Sequence, residues 1–177
     1  MYKRQILNRI EAGENCALCS DAGMPCISDP GEQIVREAHA RGIRVVPIPA
    51  ASACVTALAA SGQPTARFVF EGFLPVPKRD RRERLTFLQN ETRTMIFYEA
   101  PHKLCATLRD LAAAFGGERR ISLCRELTKL HEEVLRLTLD GSGKGIQIFP
   151  SEFGATILIM PFGGFLPLAC LLAAMQY

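Results

Sequence analysis

The feature that most constrains the fold is a regular alternation of short apolar runs with amphipathic segments, divided by Gly and Pro. Before residue 62 the order is NCALCS (15–20), EQIVREAHA (32–40), IRVVPIP (43–49) and ACVTALAAS (53–61). Short continuous apolar runs are typical of strands that are buried on both faces. The order strand, helix, strand, helix with such strands predicts a parallel sheet, and therefore an α/β fold.

The alternation continues beyond Pro64, and a further helix is predicted at the start of the chain, ending at Gly13. After Arg67 we predict a strand, a basic helix, a strand, a helix and two strands, in RFVFEGF, KRDRRERLTFLQN, TMIFYEA, PHKLCATLRDLAAAFGG, RRISLCREL and EEVLRLTL. The sequence therefore predicts a partial amino-terminal α/β domain over 1–66, a second α/β domain over 67–160 and an apolar tail over 161–177.

Composition limits the classes of function. The 177 residues are 48% hydrophobic, enough for a real core, and carry a formal net charge of only +3. A surface that binds nucleic acid must therefore be local. The seven cysteines lie mostly in apolar runs, which predicts buried, reduced thiols in a cytoplasmic protein. Cys16 and Cys19 have CxxC spacing without a second ligand pair, so no metal site is predicted.

The two ends of the chain bear on membrane association. The polar start MYKRQILNRIEAGENC is not typical of a secretory signal. Residues 155–177 carry no charge and are long enough for a membrane span, although Pro and Gly interrupt them. We therefore expect a buried strand in ATILIM (155–160), a packed or frayed tail after it and no membrane association. A membrane-attached protein is the weaker alternative.

One loop, CSDAGMPCISDPG, carries two turn signals where most connections have one. Gly23 allows a ligand to approach the backbone closely, and the two prolines stiffen the path. The loop follows one predicted strand and PAAS (49–52) follows the next, and ligands of parallel sheets bind beyond such strand ends. No phosphate-binding or dinucleotide motif is present. A small-ligand site is therefore one interpretation, and a stiff turn with Asp29 and Pro30 capping the next helix is the other.

Three further segments gather charged side chains. A His–carboxylate–Lys cluster such as that in IFYEAPHK (96–103) can do acid–base chemistry. The segment CRELTKLHEEV (124–134) places both signs of charge beside a strand, and PKRDRRER (77–84) suits contacts with RNA phosphates. Helix capping, a solvated strand end and a solvated helix face are the respective structural alternatives.

Five motifs together resemble the ribosomal RNA small subunit methyltransferase I family of the tetrapyrrole-methylase superfamily. They are SDAGMPCISDPG, VVPIPAASA, ASGQPTARFVFEGFLP, IFYEAPHKL and RELTKLHEEV, in order between about Gly13 and Leu139. The resemblance implies a two-domain tetrapyrrole-methylase-like fold that binds S-adenosylmethionine between its domains. It also implies methylation of a cytidine ribose 2′-hydroxyl in bacterial 16S rRNA, a small ribosomal subunit as partner, a homodimer and no metal.

The resemblance also implies roles for individual residues. Contacts with S-adenosylmethionine are expected from Ser20, Asp21, Ala22, Gly23, Pro25, Pro49, Ser52 and Tyr98. The group that accepts the hydroxyl proton is expected among Glu99, His102, Lys129 and Glu132. Phosphate contacts are expected from Lys78, Arg79, Arg81, Arg82 and Arg84.

The sequence also departs from the family pattern. Family members normally begin with a further strand, an ATPIGN-type turn and an EDTR-type acidic segment, so we expect the first domain to be truncated. Ala50 and Ala51 stand where the family has Gly and Pro, and Leu137 stands in place of a Gly. Two alternatives therefore stay open: a methyltransferase acting on a precorrin-type tetrapyrrole, and a catalytically silent module for dimerisation or RNA binding.

Overall fold

The computed structural model of this chain describes residues 2–139 and 171–175. It contains five α-helices, two short 3-10 turns and five strands within those ranges. In chain order they are α1 (Tyr2–Glu11), α2 (Glu32–Ala40), α3 (Ala53–Ala60), β1 (Phe68–Phe73), α4 (Lys78–Phe87), a turn at Leu88–Asn90, β2 (Thr94–Tyr98), a turn at Pro101–Lys103, α5 (Leu104–Phe115), β3 (Arg120–Arg125), β4 (Glu133–Thr138) and β5 (Leu171–Met175). The predicted α/β class is confirmed.

The described residues form two compact units, 2–52 and 53–139 with 171–175. In the first unit, α1 buries Leu7 and α2 buries Ala38. Arg41, just after α2, donates to Asn8 Oδ1 at 2.9 Å and pairs with Glu11 at 3.4 Å. These contacts join the end of α2 to α1. The predicted boundary between domains near residue 66 stays a prediction.

The second unit is built on one five-stranded sheet with the order β1-β2-β5-β3-β4. Strands β1 and β2 are parallel, because α4 provides the crossover between them, whereas β5 runs antiparallel to β2 and β3. Strand β2 is buried along its whole length. Helices α4 and α5 cover one apolar cluster of this unit, formed by Leu74, Leu85, Leu88, Met95, Phe97, Leu111, Ile121 and Leu123.

A second cluster packs α3 against the sheet. Cys54, Ala57 and Leu58 of α3 lie with Ile96, Tyr98 and Cys124. The loop after α3 is fixed by buried hydrogen bonds: Gln63 Nε2 donates to Ser122 Oγ at 3.0 Å, and Ser122 Oγ donates to the Ser61 carbonyl at 2.8 Å. The ASGQPTA segment is therefore tied to β3.

Two sequence predictions about the first unit are wrong. Residues 15–20 and 43–49 form no strand, and they are mostly exposed, with Ile48 80% exposed. An apolar run becomes a strand only where a neighbour accepts and donates its ladder of hydrogen bonds, and in the part of the chain that the structure describes neither segment has such a neighbour. The parallel sheet predicted before residue 62 is therefore not observed.

Smaller corrections concern caps and thiols. Helix α2 begins at Glu32 after Gly31, not at Pro30 with Asp29 as its cap. Cys54 and Cys124 are buried as predicted, whereas Cys16, Cys19 and Cys105 are exposed. In the described residues no helix is long and apolar enough to cross a membrane. The predicted strand at 155–160 lies outside the described residues.

Candidate functional site

The SDAG turn in the first unit is held by its own serine. Ser20 Oγ donates to the Ala22 carbonyl at 2.8 Å and accepts from the Ala22 amide at 3.2 Å. This local bond fixes the bend and brings Gly23 to a φ of 75°, a conformation that favours glycine. The turn is therefore shaped by residues within the motif itself.

The structure brings the SDAG turn close to the PAAS segment. A Cβ placed on Gly23 would lie 3.6 Å from the Ala51 carbonyl oxygen, an ordinary contact distance. Asp21 and Pro49 are exposed, and Pro25 is half-buried. Ser52 is also half-buried, and α3 begins at the next residue. The two segments that the sequence assigns to one ligand thus lie side by side.

Tyr98 lies in the second unit at the end of β2. Its ring makes edge-on contacts with Phe70 and Phe73, at centroid distances of 5.1 and 5.6 Å. Burial raises the pKa of its phenol to about 12, and its hydroxyl also interacts with Cys54. The phenol therefore stays protonated at neutral pH and acts as a hydrogen-bond partner. Its predicted contact with the cofactor stays a prediction.

Glu99 is the centre of a buried polar network. Thr107 Oγ1 donates to Glu99 Oε2 at 2.5 Å, and the Ala100 amide donates to Glu99 Oε1 at 2.8 Å. Arg81 Nη2 donates to Thr107 Oγ1 at 2.7 Å and lies 4.0 Å from Glu99 Oε2. Arg81 Nε also donates to Asp110 at 2.6 Å. The network ties β2, α4 and α5 together and occupies both oxygens of Glu99.

The other three candidate proton acceptors lie in loops. His102 is exposed in the turn that precedes α5. Lys129 pairs with Glu126 at 3.2 Å, and Glu132 accepts from the Thr128 amide at 2.5 Å. Glu126 and Thr128 have positive φ values of 50° and 66°, so those contacts hold a strained turn. Lys129 and Glu132 are thus engaged in shaping their own loop.

The cations of α4 point in different directions. Arg81 is turned inward to the Glu99 network and is only 16% exposed. Arg84 pairs with Glu71 at 2.6 Å, and Arg79, 87% exposed, pairs with Glu83 at 2.8 Å. Among the described residues, Lys78 and Arg82 have neither an ion pair nor a side-chain hydrogen bond. A common role for all five cations in phosphate binding stays a prediction, and their environments favour different roles.

Several residues of these networks carry no signal of their own in the sequence. Thr107 and Asp110 lie within an ordinary amphipathic helix, although their spacing of three places them on one helical face. Glu71 lies within the apolar run RFVFEGF, where a single carboxylate gives no signal of a functional role. Within the described ranges, no group of three or more His, Cys, Asp or Glu side chains is arranged to hold a metal.

The family model of the Tetrapyrrole (Corrin/Porphyrin) Methylases matches residues 2–141 of this chain. This chain belongs to that family. Proteins named "Ribosomal RNA small subunit methyltransferase I" are similar to it: the one from Pseudomonas aeruginosa is 53% identical over 135 residues, and the one from Xylella fastidiosa is 54% identical over 135 residues. The resemblance inferred from the five motifs is confirmed.

Coverage qualifies these similarities. The alignments span 76% of this chain but only 48% and 50% of those two relatives, so the chain spans about half the length of the curated relatives it matches. Among solved structures, the methyltransferase CobJ has a TM-score of 0.64, and uroporphyrin-III-C-methyltransferase from Thermus thermophilus has one of 0.58. Both are 16% identical, and each alignment covers 98% of this chain and 70% of the other. At that identity they support the fold alone, and the tetrapyrrole-methylase-like fold is confirmed.

Proposed function

We propose that this chain contributes to the transfer of a methyl group from S-adenosylmethionine to ribosomal RNA. The observation that carries the proposal is the juxtaposition of the SDAG turn and the PAAS segment in a chain about half identical to proteins named for rRNA methylation. The finer proposal is a cytidine ribose 2′-hydroxyl of bacterial 16S rRNA as target, with the small ribosomal subunit as partner. We also propose that the protein acts as a homodimer in the cytoplasm.

The residues of the first unit fit S-adenosylmethionine. Ser20 and Asp21 offer oxygens that suit an ammonium or hydroxyl group, and the open backbone at Gly23 suits a close approach. The Ala51 carbonyl, near Gly23, adds a further acceptor. We propose that these residues, with Ala22, Pro25, Pro49 and Ser52, hold the cofactor. When bound, the cofactor supplies an electrophilic methyl group on a sulfonium centre.

The receiving hydroxyl must lose its proton as its oxygen bonds to the methyl carbon and the sulfur–carbon bond breaks. Of the four candidate acceptors, Glu99, Lys129 and Glu132 are engaged in contacts within the chain. His102 is exposed, and histidine is the side chain that most often serves as a general base. We therefore propose that His102 accepts the proton. Glu99 instead holds the loop before α5 in place.

His102→Gln tests that assignment. We expect methyl transfer to small ribosomal subunits to fall by about a hundredfold, the lower end of general acid–base contributions. Binding of S-adenosylmethionine should be unchanged. Lys103→Gln, which removes an exposed cation at the next position, is the control and should keep most of the activity. Equal activity of both variants would show that a group other than His102 accepts the proton.

Gly23→Val tests the cofactor site. The branched side chain takes the space that the ligand needs, so calorimetric titration with S-adenosylmethionine should show no binding. Gly42→Val is the matched control, because Gly42 has a φ of 70°, similar to the 75° of Gly23, and nothing lies within 4 Å of its Cβ position. A parent chain that folds but does not bind S-adenosylmethionine would favour the silent-module alternative.

A further inference from the structure

A large aromatic side chain lies exposed at the end of the basic helix α4. Phe87 is 73% exposed, and it lines a shallow open hollow together with Arg79, Arg82, Glu83 and Thr86. These residues follow the three- and four-residue spacing of one helical face. An exposed ring beside guanidinium groups is available for contacts outside the chain.

The ring of Phe87 contacts Arg84, and Arg84 is paired with the buried carboxylate of Glu71. The pairing of β1 with β2 shifts between Phe70 and Gly72, and the side chain of Glu71 at this irregularity is only 3% exposed. Glu71 accepts from Arg84 Nε at 2.8 Å, and the Arg84 guanidinium lies 5.1 Å from the centroid of the Phe87 ring. Arg84 thus covers one ring face and leaves the other to solvent.

The charges around the ring favour a polyanion. Arg82 has no partner in the described residues, and Arg79 pairs only with the exposed carboxylate of Glu83. An exposed pair of this kind is weak, so Arg79 can turn to a phosphate at little cost. Arg81 points inward to the Glu99 network and is not part of this face.

We propose that this face of α4 binds an unpaired nucleotide of the RNA substrate, with its base stacked on the open side of Phe87. Arg82 and Arg79 contact the flanking phosphates, and Arg84 is a positioning residue that fixes the ring. Stacking on an aromatic ring requires a base outside a helix, so the surface selects single-stranded over duplex RNA. This inference rests on the proposed rRNA substrate and adds how that substrate is held.

A protein partner fits the same face less well. The cores of protein interfaces are depleted of charged residues, whereas three of the five residues that line the hollow are charged: Arg79, Arg82 and Glu83. Isolated aromatic rings among arginines are typical of single-stranded nucleic-acid binding.

Substitution of the ring tests the stacking. We expect Phe87→Ala to weaken binding of a fluorescein-labelled single-stranded RNA oligonucleotide by about fivefold or more, measured by anisotropy, because one base loses its stacking partner. Phe87→Tyr keeps the ring and should bind as the parent chain does. A duplex of the same sequence should bind more weakly to the parent chain and should not respond to Phe87→Ala.

A spectroscopic signal separates stacking from charge. The chain contains no tryptophan, so Phe87→Trp introduces a single indole whose emission a stacked base should quench. Phe68→Trp, at another exposed ring in the same unit, is the matched control and should show no quenching. Inorganic polyphosphate, which has charge but no bases, should leave the emission of both variants unchanged.

Several outcomes would overturn the inference: equal binding by Phe87→Ala, quenching by polyphosphate, stronger binding of the duplex, or a change in oligomeric state on Phe87→Ala. These measurements need neither S-adenosylmethionine nor turnover, so they stand apart from the proposed function. Methyl transfer that persists undiminished in Phe87→Ala would contradict the role of Phe87 in RNA binding and leave the proposed methyl transfer standing. Stacking of RNA on Phe87 in a chain that transfers no methyl group would support the RNA-binding role and contradict the proposed methyl transfer.

Discussion

At the scale of single residues, Arg81 is a largely buried cation that joins two helices of the second unit. It bridges Thr107 and Asp110 of α5 and lies 4.0 Å from the buried carboxylate of Glu99. A buried carboxylate that loses its cation keeps its cost of desolvation without compensation. The guanidinium therefore stabilises the packing of α4 and α5 beside β2.

Arg81→Ala should lower the free energy of unfolding by about 2–3 kcal/mol, because Glu99 and Thr107 lose a charged partner. Urea denaturation followed by circular dichroism measures this loss. Arg79→Ala, which removes an exposed cation from the same helix, should change the urea midpoint very little. Similar midpoints for the two variants would show that the network contributes no net stability.

A second residue-scale prediction concerns acid. Hydrogen bonds from the Arg93 side chain lower the pKa of Glu91 from 4.5 to about 2. A carboxyl whose folded pKa is depressed stabilises the fold fully above its unfolded pKa and loses that contribution as pH falls toward the folded value. Glu91→Gln should therefore be less stable than the parent chain at pH 6, and the difference should shrink between pH 4.5 and 2.

Urea midpoints at a series of pH values measure this difference. Glu118→Gln, which replaces an exposed carboxylate of the same unit, is the control. A gap between Glu91→Gln and the parent chain that stays constant from pH 6 to 2 would contradict the assigned contact.

At the scale of elements, the sequence predicted the helices and the first four strands of the second unit well. Strands β1 to β4 and the five helices lie in the segments that periodicity, Gly and Pro predicted, although α2 begins at Glu32 and not at Pro30. The sequence did not show which strands pair with one another. The runs at 15–20 and 43–49 have the composition of strands, but no strand pairs with them among the described residues. The motifs predicted the segments of the candidate site, and their role stays a prediction. The Glu99 network and the contacts of Arg84 with Glu71 and Phe87 depend on tertiary structure that the sequence pattern does not show.

The loop between the first run and α2 gives an element-scale prediction. A Cβ on Gly31 would lie 2.7 Å from Leu18 Cδ2 and 2.8 Å from Cys26 Sγ, at a φ of 137°. Gly31→Ala should therefore cost about 1–3 kcal/mol of stability, measured by urea denaturation. Gly13→Ala is the control, because Gly13 has a φ of 99° and nothing lies within 4 Å of its Cβ position. Its loss of stability therefore reports the cost of the backbone conformation alone. Equal losses would mean that the crowded contact relaxes freely.

At the scale of the whole molecule, the two units differ in how their backbones are satisfied. The second unit has a continuous ladder from β1 to β4 through β5. In the first unit, the described residues 44–48 donate to no backbone carbonyl, and Val46 and Ile48 are exposed. Exchange of amide hydrogens reports this difference directly, because protection requires a bonded, closed amide.

Hydrogen–deuterium exchange should therefore separate the units. Amides of residues 44–48 should exchange at nearly the rate of an unstructured peptide, whereas those of β2 and of Ile121 to Cys124 should be protected by several orders of magnitude, since they open only with the sheet. The measurement is made at two protein concentrations. Protection of 44–48 that increases with concentration would show that a second copy supplies the missing strand neighbour, and protection at both concentrations would show that the segment pairs within the chain. Either result would contradict the exposed backbone described for the first unit.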